Sequence, residues 1–575
     1  MPTGRRSGLI RSIQPLKLTA QIMGAARLID DEESYYINMK GTGGVGDAQA
    51  GITNRRRMLL QNTNQLTYQK TIGTAHNLSI TAVYEQQREE YNDNFAGSKG
   101  FNTDALTYNN LGFGNSPYYP SSNRTSKTIQ SVMGRINYAY NDRYLLSFTS
   151  RYDGASVFGQ DHKWGFFPSA AAAWRISNED FFKNVSQISN LKLRVSYGLT
   201  GSQGVAPYTS LDQLNTYSAY SINGSTLSPG VTLGVQGNPD LRWKKTAQMD
   251  LGLDVGLLNN RIEFTVDLYR KKTSDLLLNV PLPLTSGYTS VLRNVGQVEN
   301  KGIELSLGGT PVRGSFTWNS NANLAINQNK VLALSGGDEI TLGAPGLPNF
   351  DNTIFLTVGQ PMGVLKGYSQ NGTWGTTEAD QAAKYGAIPG SPKYVDQNND
   401  GVINDKDITS MGTTFPKFTY GWTNTFSYSN FDLNVFIQGV SGNQICNLSR
   451  VYMDRTSSDA DATSTRILDR WTPDHQNTNV PSFAGTNKSE LLQSNRWLEN
   501  GSYLRVKTIT LGYNLPKAIA NVAKIKAARL YVSGVNLITV TKYTGYDPEA
   551  RTGVDTFGGI DLATCRIKAR DKKRD

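Results

Sequence analysis

The stretch Ala247 to Tyr269 spells out a long β-hairpin, and its two faces restrict what the chain can fold into. Apolar residues recur at every second position at Ala247, Met249, Leu251, Leu253, Val255 and Leu257, with Gln248, Asp250, Gly252, Asp254 and Gly256 between them. The chain reverses at Asn259-Asn260, a pair that tolerates the positive φ of a tight turn. It resumes as Ile262, Phe264, Val266 and Leu268 against Arg261, Glu263, Thr265 and Asp267. Each arm runs to about ten residues, longer than the ~5–6 of an ordinary strand and close to the ~9–11 that cross a bilayer at a tilt.

Composition agrees with strands in a membrane and excludes helices in one. Mean hydropathy is −0.42, and no apolar run approaches the ~18–20 residues of a transmembrane helix. A transmembrane barrel survives this test because only alternate residues meet lipid. The 56 Gly and 29 Tyr suit tight turns and interfacial aromatic rows. The net charge of +11 is concentrated at the ends: residues 1–17 and 566–575 carry +4 each, leaving +3 elsewhere and no basic stripe for nucleic acid. Two cysteines, Cys446 and Cys565, and three scattered histidines, His76, His162 and His475, give neither a disulfide framework nor a zinc spacing. The first residues contain no apolar core of secretory-signal length.

The hairpin pattern recurs. Val132, Gly134, Ile136, Tyr138 and Tyr140 alternate with polar residues, Asn141-Asp142 turns the chain, and Tyr144, Leu146, Phe148 and Tyr152 return. Similar rows occur at Leu191–Leu199, Phe418–Tyr428, Phe431–Ile437 and Ile509–Tyr513. About fifteen strands are expected, with no α crossover between them, so the sheet is expected to be antiparallel. Short turns contrast with long polar connections at Gly201–Arg242, Ala333–Phe415 and Gly442–Tyr503. That asymmetry describes an outer-membrane barrel with long extracellular loops. A series of soluble β-sandwiches, serving as a carbohydrate-binding or hydrolase protein, is the alternative that alternation alone leaves open.

Local motifs carry a resemblance. Gly134-Arg-Ile-Asn-Tyr-Ala-Tyr continuing to Arg151-Tyr-Asp-Gly, Lys163-Trp-Gly-Phe-Phe-Pro, Trp174-Arg-Ile-Ser and Leu191-Lys-Leu-Arg-Val-Ser-Tyr-Gly resemble the SusC/RagA family of TonB-linked outer-membrane transporters. Asn294-Val-Gly-Gln-Val-Glu-Asn-Lys-Gly, Pro416-Lys-Phe-Thr-Tyr-Gly, Tyr503-Leu-Arg-Val-Lys and Val532-Ser-Gly-Val-Asn-Leu follow in the family's order. The resemblance implies an all-β, antiparallel transmembrane β-barrel, 22-stranded in the family, and localisation in the cell outer membrane. It implies import of oligosaccharides or peptides with a SusD-like lipoprotein and the TonB complex as partners, with the wall in contact with outer-membrane lipid. Residues 1–60 are expected to be a barrel strand or loop remnant, and 61–560 the receptor-like barrel region. Residues 561–575 read as an atypical basic tail in place of the expected last strand. No TonB box or plug-like segment is legible, so the expectation is an incomplete barrel, a C-terminal portion of such a transporter that does not transport by itself.

One segment suggests metal chemistry. Asp396, Asn398, Asp400, Val402, Asn404 and Asp407 occupy positions 1, 3, 5, 7, 9 and 12 of a twelve-residue loop, with Gly401 at the sharp turn. Oxygen ligands at that spacing follow the logic of a calcium loop, with Asp407 standing where Glu is usual. Calcium is therefore the one ion expected here, as a stiffener rather than a required cofactor. No GxSxG elbow, P-loop or HExxH is present, and no catalytic or cofactor-binding residues are assigned. Trp374, Trp471 and Tyr452 in the long loops are expected to pack those loops rather than to stack on substrate.

Overall fold

The computed structural model describes residues 6–11, 18–38, 48–221, 227–334, 337–341, 354–454, 464–483, 492–522, 524–549 and 560–561. The chain divides into two compact units: residues 1–179, 194–249 and 273–295 form the first, and 180–193, 250–272 and 296–575 the second. The expected tail from residue 562 onward lies outside the described residues.

In the first unit, strands Arg6–Arg11, Leu18–Ile37, Gln49–Ile72, His76–Lys99, Ser121–Tyr140, Tyr144–Ala155 and Trp164–Arg175 pair with their sequence neighbours, all antiparallel. In the second, Gln297–Val312, Phe316–Ala333, Phe418–Tyr428, Phe431–Ser441, Tyr503–Asn514 and Arg529–Thr541 do the same. Sequential antiparallel pairing is the topology of an up-and-down barrel wall. It follows from the turns. Asn141 and Asp142 both adopt positive φ, the geometry that matches the twist of a tight hairpin. At the Asn259-Asn260 turn the positive φ extends to Leu258, so the reversal is longer than a two-residue turn and the strands end at Leu257 and Ile262. Asp254 and Thr265 meet across this hairpin at 3.4 Å.

Register separates two faces. Ile136, Tyr138 and Tyr140 lie opposite Phe148, Leu146 and Tyr144, and Phe148 lies opposite Ala170. These side chains form one apolar face, with Phe148 and Leu146 half exposed although they sit mid-strand. The second unit repeats this with Leu433, Val435 and Ile437 opposite Leu511, Ile509 and Val506. A sheet face that keeps large apolar groups outward is facing hydrocarbon. At Gly439 a Cβ would fall 2.2 Å from the Tyr420 ring, so only glycine lets that ring lie across the strand.

Of the two alternatives for residues 1–60, barrel strand or loop remnant, the described residues form strand, and the long connections after Ala333 and Gly442 are more than polar loop. Strands of 20 and 24 residues occupy Leu18–Ile37 and Gln49–Ile72. The connections after Ala333 and Gly442 form a compact module. It contains short sheets such as Ile354–Thr357 with Val364–Gly367 and Gln444–Asn447 with Leu498–Asn500. Its core is Ile354, Leu365, Cys446, Leu448, Val451 and Trp497. Helices among the described residues are short, the α-helices being Ala379–Lys384, Ser449–Met453 and Lys517–Val522. Among the described residues no helix is long and apolar enough to cross a membrane, which says nothing against crossing by strands.

Candidate functional site

The polar face of the wall is built by the residues that alternate with the apolar row. In the first unit Thr67 and Thr81 meet at 3.3 Å, and Glu85 accepts from Gln61 and Thr63 at 3.1 Å each. Ser147 donates to Asn137 at 2.8 Å, and Arg135 donates to Thr149 at 3.0 Å. Arg151 pairs with Asp153 at 2.7 Å and donates to Ser131 at 2.9 Å. In the second unit Asn434 donates to Thr425 at 2.9 Å and Thr510 meets Ser533 at 2.8 Å. The face is thus dense in hydroxyls, amides and neutralised charge. Such a wall exchanges hydrogen bonds with a polar solute without trapping it on an unpaired ion.

The family is decided by comparison. Residues 25–537 match the model of the TonB dependent receptor-like, beta-barrel family. The chain belongs to this family. A TonB-dependent receptor of Formosa agariphila, P3, is 37% identical over 517 residues, covering 89% of this chain and 50% of that protein. TonB-dependent receptor SusC of Bacteroides thetaiotaomicron is 32% identical over 445 residues, covering 75% of this chain and 42% of that protein. The solved RagAB peptide transporter superposes with a TM-score of 0.81 at 25% identity, over 96% of this chain and 59% of that one. The chain spans about half the length of the curated relatives it matches. The resemblance to SusC and RagA read from the motifs is therefore correct, and the fold is that of an antiparallel TonB-dependent receptor barrel. The family consists of outer-membrane receptors rather than enzymes.

In this TonB-dependent receptor barrel, the second unit carries the six residues expected from sequence to ligate calcium. Asp396, Asn398, Asp400, Val402, Asn404 and Asp407 fall in one tight loop whose carboxylates serve its backbone. Asp396 accepts from the Gly401 amide at 2.9 Å. Asn398 donates its side-chain amide to Asp400 at 2.9 Å, and Asp400 accepts from the Val402 amide at 3.0 Å. Gly401 has φ +83° at the sharp turn. Asp407, wholly buried, closes the ends by accepting from Gln397 and Asn404 amides at 2.8 Å each. The Asn398 amide and the Val402 N–H hold the Asp400 carboxyl below its ordinary range. Among the described residues no three His, Cys, Asp or Glu side chains converge as a metal centre, so an ion at this loop would also need amide and carbonyl oxygens.

Two of the three loop aromatics are packing residues. Trp374 and Trp471 are buried, Trp374 stacking on Tyr385 at 6.0 Å, while the Tyr452 side chain lies outside the described residues. Cys446 is buried and burial pushes its thiol up to about 12, which favours the protonated form.

A constellation absent from the sequence reading lies at one end of the second unit. Arg505, buried on the Tyr503–Asn514 strand, donates to Asp547 at 2.7 Å and to Glu549 at 2.9 Å. Glu549 also accepts from Gln438 at 2.5 Å, Tyr503 at 2.6 Å and Lys507 at 3.2 Å. Tyr503-Leu-Arg-Val-Lys was legible as a motif, but nothing near it in sequence shows that its cations meet acids some forty residues later.

Proposed function

We propose that this chain forms wall and extracellular loops of an outer-membrane importer of the SusC/RagA type. Its substrates are oligosaccharides or peptides, delivered with a SusD-like lipoprotein and moved at the expense of the TonB complex. The observation that supports this best is the wall itself: in each unit an apolar face backed by a hydrogen-bonding face, in a chain 37% identical to a TonB-dependent receptor. Fractionation tests it. The product of the whole gene is expected in the outer membrane with heat-modifiable migration, and its deletion is expected to abolish uptake of a fluorescent oligosaccharide or peptide. Recovery as a monodisperse soluble protein would overturn the reading in favour of a soluble β-protein.

We also propose calcium at the Asp396–Asp407 loop. Its donors are hard oxygens, and each carboxylate oxygen that accepts an amide retains a second lone pair. Occupation requires the Asn398 and Asn404 amides to turn their oxygens inward, since both present nitrogen toward Asp400 at 2.9 and 3.5 Å. Calcium is expected to raise amide-exchange protection over residues 396–407, and Asp400→Ala to remove the effect. Equal protection in calcium and in chelator would exclude the ion.

A further inference from the structure

Glu549 sits in a nest made only of donors: the Gln438 amide, the Tyr503 hydroxyl, the Arg505 guanidinium and the Lys507 ammonium. Three strands' worth of pairing fix those donors, because Phe431–Ser441, Tyr503–Asn514 and Arg529–Thr541 are consecutive in the wall. Thr539 accepts from Arg505 Nε at 2.9 Å and so holds the plane of the guanidinium. The acids come from elsewhere. Residues 542–549 follow the last long strand as irregular chain and fold back, so that Glu549 reaches the level of Tyr503, which pairs with Thr541. The cation and the acids also differ in access: the Arg505 side chain is 3% exposed, those of Asp547 and Glu549 are 48% and 33%. The wall thus supplies a desolvated, preoriented cation, and a surface segment supplies its anions.

We propose that this nest is a binding site for a carboxylate on the transported substrate, occupied in this structure by the chain's own Asp547 and Glu549. The proposal rests on the importer reading. Arg505 gives one Nη to each acid, whereas a guanidinium matches a single carboxylate with both, so one substrate carboxylate can replace two intramolecular contacts. Thr544 remains tied to Glu499 at 2.7 Å through its amide and hydroxyl, which lets residues 547–549 leave while the segment stays attached. A tethered acid competes at an effective concentration of order mM. A lone carboxylate such as acetate therefore competes only well above mM concentration, and a substrate with further contacts displaces the strap at lower concentration.

The test uses the full chain in detergent and the double variant Asp547→Asn/Glu549→Gln. Probes are tetra-alanine with a free C-terminus, its C-terminal amide, trigalacturonate and maltotriose. The double variant is expected to bind a carboxylated probe at least about tenfold more tightly than the unsubstituted chain, a difference of ~1.4 kcal/mol. The amide and maltotriose should be unchanged, and adding Arg505→Gln should remove the gain. Response to the peptide alone or to the uronate alone tells which source supplies the carboxylate. Equal binding of acidic and neutral probes by the double variant, with its amide-exchange pattern over residues 444–447 intact, would overturn the site. Failure of the importer reading would appear separately, as loss of heat-modifiable migration.

Acid supplies a second readout. Burial alone would raise the Glu549 carboxyl, but Tyr503, Lys507 and Arg505 outweigh it and hold it below its ordinary range; Arg505 does the same for Asp547. A lowered value means that docking is fully favoured above the free-carboxylate range of about 4. It is lost as pH falls through the lowered values. Exchange protection over residues 542–549 is expected to drop in that acidic window, and the double variant should lack the step; protection independent of pH in the unsubstituted chain would overturn the docking.

Discussion

Trp497→Ala is expected to unfold the loop module of the second unit locally while leaving the wall paired. Trp497 is 1% exposed at the centre of the Ile354, Leu365, Cys446, Leu448 and Val451 cluster. Its indole N–H donates to the Leu492 carbonyl at 3.1 Å, and the guanidinium carbons of Arg496 and Arg450 lie 4.6 and 5.8 Å from its ring. Truncation removes the largest fully buried side chain of the described residues and leaves a cavity, at a cost of about 3–5 kcal/mol. The core of the module is six residues, so a loss of that size is a large share of the ~5–15 kcal/mol that holds even an ordinary domain. Amide exchange should rise over Gln444–Asn447 and Leu498–Asn500 but not over Phe431–Ser441. Unchanged exchange across the module would show that Trp497 is not its keystone.

The second expected result separates the two faces of one strand. Phe148 stands midway between Tyr144 and Tyr152 on the apolar row, and Ser147 beside it points to the polar face, where it donates to Asn137. Phe148→Arg places a guanidinium near the middle of the hydrocarbon and should cost about 2–4 kcal/mol of stability in lipid. Ser147→Arg puts the same charge among hydroxyls and amides and should cost only about 1 kcal/mol, the value of its lost hydrogen bond. Urea titration after refolding into lipid vesicles measures both. Equal penalties would mean that the apolar face does not meet lipid.

These two faces were legible because alternation is written locally, and Phe148 or Leu433 declares its side by its neighbours. The turn at Asn141-Asp142 was equally plain, since few residues accept positive φ. The strands Leu18–Ile37 and Gln49–Ile72 were not plain. Their rows mix Leu66 and Leu60 with Asn64 and Asn62, and only pairing along the full register reveals them as strands. The loop module was read as polar connection because its core residues are spread from Ile354 to Trp497, with no period to join them. The residues of the Asp396–Asp407 loop could be read together from sequence because they lie within twelve positions. Arg505 and Glu549 were missed because their meeting depends on how the segment after Thr541 folds back.

The Gln49–Ile72 and His76–Lys99 strands have one more implication. Along the second, the outward row runs His76, Leu78, Ile80, Ala82 and Tyr84, then changes to Gln86, Arg88, Glu90 and Asn92. Hydrocarbon contact therefore ends near Tyr84, and the fifteen residues from Glu85 to Lys99 continue for about 50 Å of strand. Their backbone stays paired on both sides, to Gln49–Thr63 and, from Glu85 to Phe95, to Ser121–Ser131. Met23–Ile37 pairs along the far edge of Gln49–Thr63, so a ribbon of up to four strands carries the sheet well past its apolar band, and its hydrogen-bonded backbone makes that extension stiff.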